Sequence, residues 1–338
     1  MKRLAQSHAQ RLRRSVGALA ATALASGTLA GALALAAGPA QASPVAALSG
    51  PAYTFKTLNN SRDLTFNQLL GINDHGKIVG YFGSGAAGHP NKGYNLYSPF
   101  HQGNYQNVNF PGSKQTQVTG LNNGHVVVGF YSTQNRADLA DNNFGFVDIS
   151  GHFRKVNFPT SHPASPPVDQ LLGVNDSGLA VGFYVDSAGN SHGYLYNIST
   201  HHYASVNPGT VGATSITAAG INDADSVTGF FTNAKGAVLG FFVRKSAPHL
   251  FILKVPGSSA TQPLGVSTHG EVVGFYTVGS GNSAVTHGFT WTRQHGFHKV
   301  DDPHGAGATT VNGVNTAGDL VGFYTDSAGN TDGFLAKP

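Results

Sequence analysis

The 338-residue chain has no cysteine, one glutamate (Glu271), one tryptophan and no methionine beyond Met1. Without cysteine there are no disulfides, thiol nucleophiles or cysteine-built zinc sites. A lone glutamate excludes a glycosidase with paired glutamates, so such chemistry would need two aspartates. Asp, Glu, Lys and Arg together make only 11% of the residues. No H-E-x-x-H motif occurs, and no repeat position carries histidine in all six units.

The first 42 residues stand apart. Lys2, Arg3, Arg11, Arg13 and Arg14 precede an apolar Ala/Leu-rich run from Val16 to about Gly38, which ends in Ala40-Gln41-Ala42. A basic head, apolar middle and small-residue exit form a secretory signal peptide, with Ser43 the first mature residue. The run is also about long enough for a transmembrane anchor, but its Gly, Thr and Ser content and its A-x-A exit favour cleavage. The Arg13-Arg14 pair leaves general secretory and twin-arginine routes both open. Cleavage would take the formal charge from +4 to −1, because fifteen basic residues then face sixteen acidic ones. No basic cluster survives, so the footprint of a nucleic-acid binder is missing. An exported, periplasmic or extracellular protein is expected, with no membrane span after cleavage.

Residues 43–338 repeat. Glycines 71, 120, 173, 220, 265 and 313 anchor six units of 45 to 53 residues, a period that suits four short strands with turns. In the first unit the strands read as QLLGIND (68–74), KIVGYF (77–82), GYNLYS (93–98) and YQNVNFP (105–111). The last unit ends after its third strand, at GFLAKP (333–338), whereas YTFKTLN (53–59) supplies a fourth-strand copy at the start. The expectation is one all-β domain: a six-bladed β-propeller of four-stranded blades, monomeric, closed by pairing of the N-terminal strand with the last blade. Closure hides edges that would otherwise aggregate. A register with the fourth strand innermost and no shared blade is the alternative.

The pattern G-[IVL]-N-[DN]-x-G-x-[IV]-V-G-[FY], read in GINDHGKIVGYF (71–82) and, with Thr316 and Leu320 departing from it, in GVNTAGDLVGFY (313–324), resembles the HAF family of probable extracellular repeats. His192-Gly193-Tyr194, His287-Gly288-Phe289 and Asp332-Gly333-Phe334 stand where that family carries His-Ala-Phe. The resemblance covers essentially all of residues 43–338. It implies an exported bacterial repeat protein and assigns no activity.

Asn73, Asn122, Asn175, Asn222 and Asn315, with Ser267 in the sixth place, read as turn residues bonding nearby amides, with Gly relieving a positive φ. A calcium loop would need more carboxylates than Asp74, Asp176 and Asp223 provide. The aromatic pairs, such as Phe183-Tyr184, read as packing between blades rather than as sugar platforms. Asp186, Asn190, Asp326 and Asn330, in two near-identical Asp-Ser-Ala-Gly-Asn stretches, fit hairpin turns or weak Ca²⁺ ligation; no other cofactor is implied.

Two groups are candidate sites. Gln68, Gln117, Gln170, Thr217, Gln262 and Thr310 begin the first strands and would ring the channel mouth where the second-to-third-strand loops emerge. Neutral amides and hydroxyls suit hydroxyl-rich ligands such as glycans. Asp301, Asp302 and His304, with Asp169 and His162, lie in variable inter-unit loops and would carry general acid–base or metal chemistry. The expected function is a binding or interaction module for a glycan or other polar ligand. The alternatives are a secreted hydrolase or lyase, and a structural envelope protein with no small-molecule site.

Overall fold

The computed structural model describes residues 51–86, 88–136, 140–209, 212–245 and 249–338. The expected leader, residues 1–42, lies outside the described residues. Among these the structure is all β, with two 3₁₀ turns at Gln102–Asn104 and Gly281–Ser283 and no α-helix.

Strand β1 (Thr54–Thr57) precedes five quartets and a closing triplet. The first two quartets are β2 (Asn67–Ile72), β3 (Ile78–Phe82), β4 (Lys92–Leu96), β5 (Tyr105–Asn107) and β6 (Gln115–Leu121), β7 (Val126–Ser132), β8 (Phe144–Ile149), β9 (His152–Val156). The third is β10 (Asp169–Val174), β11 (Leu179–Val185), β12 (Ser191–Asn197), β13 (Tyr203–Ser205). The fourth and fifth are β14 (Ala213–Ile221), β15 (Val227–Asn233), β16 (Val238–Arg244), β17 (His249–Leu253) and β18 (Ala260–Val266), β19 (Val272–Val278), β20 (Val285–Thr292), β21 (Gly296–Val300). The triplet is β22 (Thr309–Val314), β23 (Leu320–Thr325) and β24 (Thr331–Lys337). Neighbours within each unit are antiparallel, and β1 completes the triplet by pairing with β24 from Thr54↔Lys337 to Thr57↔Phe334.

The fold is propeller-like with four-stranded blades. Four sheets stand alone, while the remaining eight strands form one sheet in which the parallel pair Val238↔Ala260 joins β16 to β18. The hydrogen-bonded sheets therefore differ from six separate blades. The reason is local, because comparable parallel bridges at Asn143↔Val168, Thr286↔Ala308 and Phe66↔Thr331 stay isolated.

The first strand of each unit is innermost. β2, β6, β10, β14, β18 and β22 line a common axial cavity and contact one another in succession, β22 returning to β2. Each carries a β-bulge that the sequence pattern did not reveal, at Leu70, Thr119, Leu172, Ala219, Leu264 and Asn312. The anchor glycine follows each bulge, and the strands crowd there. A Cβ on Gly120 would lie 2.8 Å from the Leu172 carbonyl oxygen, and one on Gly265 would lie 2.6 Å from that of Asn312. Glycine at 120, 220 and 265 is thus required by contact between neighbouring inner strands, whereas at Gly71, Gly173 and Gly313 the facing carbonyl oxygen would lie 3.2–3.3 Å away.

The aromatic pairs pack as strand alternation dictates. Tyr81, Phe130, Phe183, Phe230, Phe275 and Phe323 are all buried, each directly across from the first-strand Gln or Thr of its unit. Phe183, Phe230 and Phe275 share one apolar cluster with Leu172, Ala219 and Leu264, which ties three units together beside the axis. Burying a ring of this size stabilises the fold by roughly 1.5–3 kcal/mol.

Candidate functional site

The six positions expected to ring the mouth are inside the protein. Gln68 and Gln170 have no exposed surface, and Gln117, Thr217, Gln262 and Thr310 are buried. Tyr81 Oη donates to Gln68 Oε1 (2.9 Å), Gln117 Nε2 donates to Asn91 Oδ1 (2.9 Å), and Gln170 Nε2 donates to Asn143 Oδ1 (3.1 Å). One atom of each of these amides bonds within the protein, while Gln68 Nε2, Gln117 Oε1 and Gln170 Oε1 are buried without a partner.

On the same face, one layer further out, the second ring of each aromatic pair meets a residue near the start of the third strand. The register pairs Phe82 with Lys92, Tyr131 with Phe144, Tyr184 with His192, Phe231 with Leu239, Tyr276 with His287 and Tyr324 with Asp332. At two of these equivalent places a tyrosine carries a histidine. Tyr184 and His192 stack at 4.9 Å and 21°, and Phe158 covers Tyr184 at 4.6 Å and 12°. Tyr276 and His287 lie 5.3 Å apart, tilted by 36°.

Each histidine is held by a carboxylate. His192 Nε2 is 2.8 Å from Asp186 Oδ2, and His287 Nδ1 is 2.7 Å from Asp301 Oδ2. The His192 side chain remains 44% exposed, so its ring can meet a ligand. Burial alone would raise the Asp186 carboxyl, but hydrogen bonds from His192 and from the Asn190 and Ala188 amides outweigh it and hold the group below the usual carboxylate range. Lys299 Nζ joins Asp301 at 2.9 Å, and burial with the Asp301 charge pushes the Tyr276 hydroxyl up to about 12. The sequence signal was present in His-Gly-Tyr and His-Gly-Phe, but the partner carboxylates came from different loops.

The loop candidates do not converge. Asp302 binds His304, with Oδ1 3.0 Å from Nδ1 and 2.9 Å from the backbone nitrogen, while Asp301 turns to His287 and Lys299. Asp169 accepts the Phe158 amide at 2.7 Å and the Tyr194 hydroxyl at 2.6 Å, whereas the His162 ring meets Ser161 Oγ. Asp169 repeats a structural role: Asn67, Thr116, Thr261 and Thr309 likewise accept the backbone N–H at the end of a preceding fourth strand. Burial raises the Asp169 carboxyl to about 7, against the opposing hydrogen bonds of Tyr194 and Phe158. Asp326 accepts the Ala328 and Asn330 amides at 2.8 Å, which accounts for that stretch as a hairpin turn, and Asn190 donates in the same way to Asp186. Among the described residues no three His, Asp or Glu side chains come together as a metal site.

The polar opening of the axis lies at the other end, where first strands turn into second strands. Asn73 Nδ2 donates to the Asn122 carbonyl, Asn122 to Asn175, Asn175 to Asn222 and Asn222 to Ser267, all within 2.8–3.1 Å. Asn315 reaches Asn73 at 3.4 Å, so the chain of side-chain bonds passes round the axis with one gap at Ser267. The same side chains cap their own turns, as Asn175 Oδ1 does for Leu179 N (2.9 Å). Outside this ring Asp74, Asn123, Asp176, Asp223, Thr268 and Thr316 form a rim. Two cavities of about 90 and about 70 Å³ follow one another here, sharing the row Ile72, Leu121, Val174, Ile221, Val266 and Val314.

Fold and surfaces define an all-β, propeller-like protein with polar platforms on one face and an acidic opening on the other. Among solved structures it is similar to the SapL1 lectin in complex with alpha methyl fucoside, at 7% identity over 78% of this chain and 89% of that one, TM-score 0.50. It is also similar to AofleA from Arthrobotrys oligospora, at 12% identity over 84% and 86% of the two chains, TM-score 0.50. A streptogramin B lyase matches at 10% identity over 84% and 98%, with TM-score 0.44. Such likenesses concern the fold. No family model and no curated protein matches the chain.

Proposed function

We propose that this is an exported six-bladed propeller of the HAF-repeat kind that binds a hydroxyl-rich ligand, a glycan, on the face bearing Tyr184, His192 and Asp186 and their counterparts Tyr276, His287 and Asp301. In this reading the eight-stranded sheet counts as two blades, because the bridge that joins them recurs elsewhere as an isolated contact. The observation that carries the proposal is the recurrence of a histidine on a tyrosine, fixed by a carboxylate, at equivalent register positions of two units. A flat, partly exposed ring presents a face to the C–H side of a sugar. The adjacent carboxylate accepts hydroxyl hydrogen bonds, and the fixed ring orientation limits the ordering entropy that binding must overcome. That the SapL1 lectin was solved with a fucoside is in keeping with this use of a similar fold.

A glycan array followed by calorimetry tests the proposal. At least one carbohydrate class should bind, and His192→Ala with His287→Ala should abolish binding while leaving the thermal midpoint nearly unchanged. No carbohydrate binding, or binding indifferent to both substitutions, would sink it. Export is tested separately: the secreted protein should begin at Ser43.

A further inference from the structure

A third group of tyrosine, histidine and carboxylate stands beside the second, assembled from different parts of the chain. In the sixth unit the second ring of the aromatic pair is Tyr324, and the place across from it holds Asp332 instead of histidine. The histidine comes from the loop between β21 and β22. The His304 ring lies 6.2 Å from that of Tyr324 at 34°, a tilt close to the 36° between Tyr276 and His287. His304 Nδ1 is 3.0 Å from Asp302 Oδ1, as His287 Nδ1 is 2.7 Å from Asp301 Oδ2. The His304 side chain is 69% exposed.

Two adjacent residues thus fix two imidazoles. Asp301 and Asp302 follow the end of β21, where successive side chains of an extended chain leave it on opposite sides. Asp301 turns back to His287 of the fifth unit, and Asp302 turns forward to His304 at the entry to the sixth. The Asp302 side chain has no exposed surface, so it positions the ring and meets no ligand, whereas Asp301 is 28% exposed and open to one. The base of the new platform is also tied down, because the Tyr324 hydroxyl lies 3.0 Å from Thr57 Oγ1 of β1. The corresponding place before β10 carries Asn157-Phe158, and there Phe158 covers Tyr184 instead. The paired arrangement belongs to the junction of the fifth and sixth units.

We infer that these two groups act as one extended site, which binds a neutral β-1,4-linked oligosaccharide of gluco configuration laid over His287 and His304. The inference rests on the glycan reading of the platforms. Such a chain is extended and keeps its hydroxyls equatorial, so each sugar can lay a C–H face on a ring while an edge hydroxyl donates to Asp301. Lys299 is taken up by Asp301 at 2.9 Å, which matches the site to an uncharged sugar. Rings fixed by carboxylates before binding leave little ordering to be lost. Once one sugar is seated, the second platform meets the rest of the chain as an intramolecular partner, so affinity rises with length. An α-1,4-linked chain of the same sugar curls away from that line.

Calorimetry on the full mature chain tests this, with glucose, cellobiose, cellotetraose and maltotetraose as probes. Cellotetraose should bind at least about tenfold more tightly than glucose, with cellobiose no weaker than glucose, and maltotetraose should gain nothing over glucose. His304→Ala, at an exposed position, should weaken cellotetraose about tenfold, to the level of glucose, and leave the thermal midpoint unchanged. His162→Ala, in another inter-unit loop and with its ring on Ser161 Oγ, should leave cellotetraose affinity as it was. Equal affinity for glucose and cellotetraose, a gain with maltotetraose as large as with cellotetraose, or cellotetraose binding indifferent to His304→Ala would overturn the inference. If another carbohydrate binds through His192 and His287 while cellotetraose does not bind, the extended site falls and the platform reading stands. If no carbohydrate of any class binds, both fall.

Discussion

The two ends of the inner strands solve different problems with the same repeat. At the first turn, side chains bond around the axis from unit to unit, Asn73 to Asn122 to Asn175 to Asn222, so each residue answers to its neighbours in the ring. At the opposite face the residue across from the second ring of each pair takes a different partner from unit to unit, and six units use Lys92, Phe144, His192, Leu239, His287 and Asp332 there, Lys92 reaching the Lys114 carbonyl, His192 Asp186 and Asp332 Asn59. Close circumferential contact restricts residue choice; varied partners near the start of the third strand free it. The platforms arose where the fold asks least.

The sharpest break of this contrast is Gly182→Ala, which should prevent native folding or destabilise at or beyond the upper end of about 1–3 kcal/mol, because a Cβ there would sit 2.0 Å from the Gln170 carbonyl oxygen. Expression yield and urea midpoint report it; a near-native midpoint would refute the crowding argument. Next, Asn175→Ala removes the bond to the Asn222 carbonyl and the cap on Leu179 N, and should cost about 2–3 kcal/mol in urea denaturation. A loss under about 0.5 kcal/mol would mean the ring of side-chain bonds contributes little.

A smaller effect should distinguish Asp169 from the threonines that share its role. Its folded pKa, about 7, lies above the usual carboxylate value near 4, so its contribution is fully present below about pH 4 and is lost as pH rises towards 7. Wild type should therefore lose stability relative to Asp169→Thr between those limits, read by urea denaturation at pH 5 and pH 8; a difference independent of pH would contradict the assignment. Smallest of all, His192→Ala should change stability by no more than about 0.5 kcal/mol while lowering ligand affinity. Equal losses in both would make that residue part of the scaffold.

Strand positions, the inner place of the first strand and the role of YTFKTLN were legible because alternation and a fixed period mark what lies on each face. The bulges were not, since an extra residue at Leu70 or Asn312 leaves the one-dimensional pattern unchanged. The polar run at Gln68, Gln117 and Gln170 was visible, but its burial was not, because Tyr81, Phe130 and Phe183 come from the neighbouring strand to cover that level. His192 was visible as a departure from repetition. Its pairing with Asp186 depends on how the hairpin folds back, and the equivalent His287 takes Asp301 from the fourth strand's end.

Pairing of β1 with β24 carries a kinetic consequence. Thr54 meets Lys337, so this ladder forms only after nearly every other strand has been laid down, and its closure entropy is among the largest in the chain. Contacts of such long sequence separation slow the final ordering step. Until it forms, the outer edge of β24 and the facing surface of β2 stay open, and the species at risk of aggregation is the almost-finished ring.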